Sequence, residues 1–165
     1  MVAIPNGVTV SVTGNKITVK GPKGTVEREF KEKGLSIKVE GKEIVVSNVG
    51  KLPKATLGSI QAHVQNMVIG AEKGYEKKMQ VLYAHFPVTL EIKGKTFFIK
   101  NFIGEKKPRE AEIIGDTKIA VKGADVSITG PNKEHVGQTV SNIRTAVKIR
   151  NRDPRIFQDG LYVVE

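Results

Sequence analysis

One stretch of alternating residues is written twice in this chain. Val8-Thr9-Val10-Ser11-Val12-Thr13-Gly14 lies over Val88-Thr89-Leu90-Glu91-Ile92-Lys93-Gly94 at an offset of 80 residues, and Ile17, Val19, Lys20 and Gly24 continue onto Phe97, Ile99, Lys100 and Gly104. Further on, Ile37-Lys38-Val39-Glu40-Gly41 falls on Ile119-Ala120-Val121-Lys122-Gly123 and Val46-Ser47 on Ile128-Thr129, at an offset of 82, so a two-residue insertion separates the blocks. Apolar residues alternate with Thr, Ser and Lys, the period of a β-strand with one solvated face. Two copies are too few for a solenoid, so the repeat constrains the chain to two like bodies.

Each copy closes on a helical pattern, Leu57, Ile60, Val64, Met67 and Val68 in the first and Val136, Val140, Ile143 and Val147 in the second. Steps of three and four put each set on one apolar stripe. The spacing predicts helices over 54–70 and 134–150. Pro53 suits the first start and Gly70 or Gly74 its end, while Pro131-Asn132 opens the second and Pro154 lies beyond it. The fold class is α+β: two tandem duplicated domains, residues 1–80 and 81–165, each an antiparallel sheet covered on one face by a helix. They are joined near residues 74–84, with Tyr83 and Phe86 the candidates for contact between copies. Gly94-Lys95 reads as a hairpin turn and not the end of a phosphate-binding loop, because Thr89 stands where that loop needs glycine.

With 165 residues, 39% of them hydrophobic, each half can bury a core. No cysteine is present, which removes disulfides, thiolate metal sites and thiol nucleophiles and points to a reducing compartment, the cytosol. No apolar run is long enough for a membrane span, and the N-terminus does not read as a signal peptide. His63, His85 and His135 are scattered, so surface or packing roles are expected and no metal or other cofactor. Nothing in the sequence pairs with His85. Thr139 and Ser141 lie near His135 but without an oxyanion-hole signature, and the chain is not expected to be an enzyme. Asp153 and Asp159 read as Asx turns or contacts to neighbouring arginines.

The net charge of +10 makes a polyanion the first partner to consider. Residues 1–80 carry 13 basic and 7 acidic side chains; residues 81–165 carry 14 and 10. Arg144, Lys148, Arg150, Arg152 and Arg155, less Asp153, account for the whole surplus of the second half, because the remainder is 9 basic against 9 acidic. Cations near a helix C-terminus complement its dipole by about 0.3–1 kcal/mol each, which accounts for one or two of them and not five. Arg144 and Lys148 are expected one turn apart on the second helix, and Arg150-Asn151-Arg152-Asp153-Pro154-Arg155 in a tight loop able to follow a phosphate backbone. Gly104-Glu105-Lys106-Lys107-Pro108-Arg109 is a second candidate loop, stronger than Gly21-Pro22-Lys23-Gly24. Aromatic residues are 5%, so recognition through phosphates, 2′-hydroxyls and RNA shape is expected over stacking along a strand.

Asn101-Phe102-Ile103-Gly104-Glu105-Lys106-Lys107-Pro108-Arg109 and Asp153-Pro154-Arg155-Ile156-Phe157-Gln158-Asp159-Gly160-Leu161-Tyr162, with the duplication running through nearly the whole chain, resemble the large ribosomal subunit protein six family in its archaeal and eukaryote-like branch. The compact length favours archaea. The resemblance implies two α+β domains from an ancient duplication. It also implies a non-enzymatic role in which the C-terminal domain binds large-subunit rRNA near the sarcin–ricin loop and the stalk base, beside other large-subunit proteins and close to translation factors. Carried onto this chain, the RNA-contacting residues are Lys106, Lys107, Arg109, Arg144, Lys148, Arg150, Asn151, Arg152, Arg155, Gln158 and Tyr162. Phe157 and Tyr162 either anchor the terminal loop, the preferred reading, or stack on a base. Gly160 is expected to turn the chain with positive φ. The rival functions are a small hydrolase with a cleft between the halves and a basic protein-interaction module.

Overall fold

A computed structural model of the chain describes residues 2–5, 7–32, 34–41, 43–48, 50, 53–153 and 155–164, with the backbone alone described at 40 and 48. The chain divides into two compact units: Met1–Tyr75 with Pro131–Lys133, and Glu76–Gly130 with Glu134–Glu165.

The first unit contains strands β1 (Val2–Ala3), β2 (Thr9–Thr13), β3 (Lys16–Gly21), β4 (Gly24–Glu29), β5 (Leu35–Glu40) and β6 (Glu43–Asn48), then helix α1 (Lys54–Glu72). The strands form two sheets, β2-β3-β4 and β1-β6-β5, paired antiparallel throughout. The expected single sheet is thus divided, because after Glu29 the chain leaves the ladder and β5 pairs with β6. Alternation on β3 sends Ile17 and Val19 inward with no exposed surface. Helix α1 presents Ile60, Val64, Met67, Val68 and Ala71 to the same core, with Leu57 packed at its margin, and touches β3, β4 and β6. Pro53 stands at its N-cap, where a missing N–H costs nothing. At its end Gly74, at φ 77°, returns its N–H to the Gly70 carbonyl at 3.0 Å, a glycine-dependent helix stop.

The second unit repeats this plan with β7 (Tyr75–Leu82), β8 (Thr89–Lys93), β9 (Thr96–Lys100), a 3₁₀ turn (Phe102–Gly104), β10 (Arg109–Glu112), β11 (Lys118–Lys122), β12 (Asp125–Gly130), helix α2 (Lys133–Ala146) and a closing strand β13 (Gly160–Val164). Its sheets are β10-β9-β8 and β11-β12-β7-β13. The first matches β4-β3-β2, and β11-β12-β7 matches β5-β6-β1, so β13 is an addition. Met79, Phe97, Ile99, Phe102, Val126, Ile128, Val136 and Ile143 are its most deeply buried apolar side chains. Gly94, at φ 59°, makes the two-residue turn between Lys93 and its partner Thr96.

Four local expectations are corrected. Residues 74–84, read as a link, contain β7: the exposed, charged Glu76, Lys77 and Lys78 mask a strand that buries Met79. Tyr83 meets the Tyr162 ring edge-on at 6.2 Å, and the Phe86 ring lies over Gly104; all four residues belong to the second unit. Gly24 is not the counterpart of Gly104. Val19 pairs with Val26 and Ile99 with Arg109, so an offset of 80 on β3 (99 − 19) becomes 83 on β4 (109 − 26). Three residues are inserted in the loop before β10, and the return to 82 removes one afterwards. Helix α2 ends at Ala146 and not at residue 150, for a reason that belongs to the basic segment.

Candidate nucleic-acid interface

Beyond α2 the chain runs irregularly over 147–153 and 155–159 and returns as β13 against β7, with Leu161 opposite Val81 and Tyr162 opposite Gln80. The helix stops where Arg109, on β10, meets its end. Arg109 Nη1 donates to the carbonyls of Ala146 at 2.9 Å and Lys148 at 3.0 Å, taking acceptors that a longer helix would use internally. Its Nε and Nη2 donate to the two Glu105 oxygens at 2.8 and 2.6 Å, and the guanidinium lies 4.6 Å from the Phe102 ring centroid. The hydrogen bonds from Arg109 hold the Glu105 carboxyl below its ordinary value; partial burial opposes them, and the charges of Arg109 and Arg152 add to the lowering.

The loop before β10 is set by backbone conformations that composition does not announce. Asn101 and Ile103 both have positive φ, 57° and 52°, the second at a β-branched residue. Such strain costs on the order of 1–3 kcal/mol and persists only where its surroundings over-determine it. Here Phe102 and Ile103 are buried, and Asn101 Nδ2 donates to the Pro87 carbonyl at 3.0 Å. The loop therefore delivers Phe102 beneath Arg109 and leaves Lys106 and Lys107 exposed.

Asp159 ties the far end of the basic segment. It is only 3% exposed, and its Oδ2 accepts the His85 backbone N–H at 2.8 Å while Oδ1 accepts the ring Nδ1. Burial pushes this carboxyl up, but the hydrogen bonds and charge of His85 outweigh it and hold the group below its ordinary value of 3.8. The expectation that nothing pairs with His85 is overturned; the partner is simply 74 residues away in sequence. His85 also meets the Phe157 ring at 5.6 Å, and Arg152 covers that ring at 4.8 Å. Asp153 makes the expected Asx turn, accepting the Arg155 N–H at 2.9 Å. Asn151 turns the chain at φ 59°, a conformation short polar side chains tolerate. Pro154, expected to stop the helix, lies outside the described residues.

Tyr162 donates its hydroxyl to the Gln158 carbonyl at 2.7 Å and pins the last turn. Gly160 does not have positive φ. It lies in β13, and a Cβ there would come within 3.1 Å of the Tyr162 ring, so glycine favours clearance of that ring rather than a special conformation.

Of the eleven sequence-predicted contact residues, Arg109 is engaged within the fold. Arg144, Lys148, Arg150, Arg152 and Arg155 are exposed, and among the described residues none of them forms a salt bridge. Lys148 lies past the helix end, not one helical turn from Arg144 as expected. Asn151, Gln158 and Tyr162 are exposed but serve the loop's own turns. Sequence reading missed Glu105, Phe102, His85 and the anchoring role of Asp159. Thr139 is likewise structural, donating to the His135 carbonyl at 2.8 Å and accepting the Ile114 N–H at 3.1 Å. His63 accepts from Arg28 at 3.2 Å. Among the described residues no three His, Cys, Asp or Glu side chains converge as a metal site, and no helix is long and apolar enough to cross a membrane.

Fold and basic segment together define a duplicated α+β protein in which the surplus positive charge of residues 81–165 is focused at the end of α2 and the segment after it. A family model for ribosomal protein L6 matches the chain twice, over residues 4–74 and 86–160, and the chain belongs to that family. Large ribosomal subunit protein uL6 of Methanosarcina mazei is 49% identical over 166 residues, covering 99% of this chain and 94% of the relative. The protein of the same name from Methanosphaera stadtmanae is 48% identical over 168 residues, covering 100% and 91%, and that of Staphylothermus marinus 42% over 168 residues, covering 98% and 91%. These relatives are archaeal.

Proposed function

We propose that this chain is a structural, non-enzymatic component of the large ribosomal subunit in the cytoplasm of an archaeon. Its second unit grips large-subunit rRNA near the sarcin–ricin loop and stalk base, beside neighbouring ribosomal proteins and close to where translation factors bind. The reading is supported by family membership and by relatives named as large-subunit proteins. The observation that carries it is the set of five exposed cations at 144–155, on the last turn of α2 and the braced segment after it, none of which forms a salt bridge among the described residues. Cations held in place but unpaired are what a phosphate backbone needs, because neutralising phosphates releases condensed counterions. Arg144, Lys148, Arg150, Arg152 and Arg155, with Lys106 and Lys107 on the adjoining loop, make the contacts; Asn151, Gln158 and Arg109 shape the surface that presents them.

Co-sedimentation tests this directly. The chain should travel with archaeal large subunits depleted of their own copy in moderate salt, and R150A/R152A/R155A should stay in the supernatant while melting at the wild-type temperature. Equal recovery of the variant would move the site elsewhere; failure of the wild type to sediment would remove the function.

A further inference from the structure

Between the end of α2 and β13 the second unit carries a groove of about 520 Å³, rimmed by Arg144 and Lys148 and walled by Tyr162. That size is within the range of about 300–1,000 Å³ typical of small-ligand sites. Val147 and Leu161, 6% and 3% exposed, supply an apolar floor. Asp159 also borders it, but both carboxylate oxygens are taken by His85, so the acid is already satisfied. Tyr162 is 43% exposed, yet its ring is fixed by the hydroxyl bond to the Gln158 carbonyl, by clearance at Gly160 and by the edge of Tyr83.

We infer that this groove receives one unpaired, splayed-out nucleotide of the bound RNA, its base stacked on Tyr162 and its flanking phosphates on Arg144 and Lys148. The inference rests on the rRNA-binding reading and makes it more specific. A duplex offers no free base face, whereas loops and bulges do, and aromatic side chains are the usual platform for them. A ring already immobilised loses little freedom on stacking, and cations at the rim match the charge on either side of a base. The chain thus combines backbone grip at 150–155 with a single base contact at 162, even though aromatics are scarce.

Binding of a large-subunit rRNA fragment should weaken roughly 5- to 150-fold in Tyr162→Leu, the loss expected for one stacked base. The salt dependence should keep its wild-type slope because no phosphate contact is removed. Tyr162→Phe, which keeps the ring, should stay within about threefold of wild type on the same scale. Tyr162→Leu binding like wild type would overturn the groove assignment alone. Loss of wild-type binding altogether, or unchanged binding by R150A/R152A/R155A, would instead strike the underlying reading. A measurement on the unaltered chain guards against misfolding of the variant: with three tyrosines to resolve, the ring signals of Tyr162 should move upfield on RNA addition. Tyr75 ring signals should stay in place as the control. Unmoved Tyr162 signals in the saturated complex would sink the proposal.

Discussion

Arg109 sits among cations and reads, in sequence, like one more hand for phosphate. Four of its five N–H groups are spent inside the fold, two on Glu105 and two on the carbonyls that end α2. Lysine cannot reproduce that fork. Arg109→Lys should lose about 1–3 kcal/mol of stability by leaving carbonyls unsatisfied. Arg109→Gln, which removes the charge, should weaken RNA binding without changing the salt slope; a slope flatter by about 0.9 would show that Arg109 touches a phosphate itself. Asp159 is the second such residue. A carboxyl held lower in the folded than in the unfolded chain stabilises the fold above the unfolded value, and that contribution fades as pH falls through the folded one. Asp159→Asn should therefore be least stable relative to wild type near neutral pH, with the gap closing as pH falls below the ordinary value of 3.8, as followed by urea unfolding across that range. A gap independent of pH would mean that the carboxylate charge plays no part in holding His85.

At the scale of elements, period-two alternation and steps of three and four were enough to read the strands and the stripes of both helices, because those signals are local, and the 80-residue offset paired them into two α+β copies. What stayed hidden was set by partners distant in sequence. The end of α2 is fixed by a guanidinium 37 residues earlier, His85 by a carboxylate 74 residues later, and β7 by burial of one methionine within a charged run. The strained turn at Asn101 and Ile103 has no compositional mark at all. Cations of the basic segment were legible because charge needs no fold to be counted; which of them remain unpaired required the coordinates. Helix α2 is tied to the end of β10 by Asn142 donating to the Glu112 carbonyl at 3.0 Å and to the residues just after it by Thr139 accepting from Ile114. Thr139→Val keeps the volume and removes the acceptor, so chemical denaturation should show a loss of about 1–3 kcal/mol. A neutral result would mean that water replaces the hydroxyl.

For the molecule as a whole, the account is a division of labour in one small protein. Apolar faces of two like units supply rigid bodies, and polar bonds reaching across the second unit hold a loop whose charges are left for an outside partner. The stability of that body and its grip on RNA should separate: R150A/R152A/R155A should melt like wild type while its log–log salt slope flattens by about 2.7, three phosphates at about 0.9 each with the coefficient of duplex DNA. The most direct test of the central claim is the affinity of the wild-type chain for a large-subunit rRNA fragment across a salt series. Seven contact cations on seven phosphates predict a slope of roughly −6.3 with the coefficient of duplex DNA; an affinity that does not change with salt would contradict it.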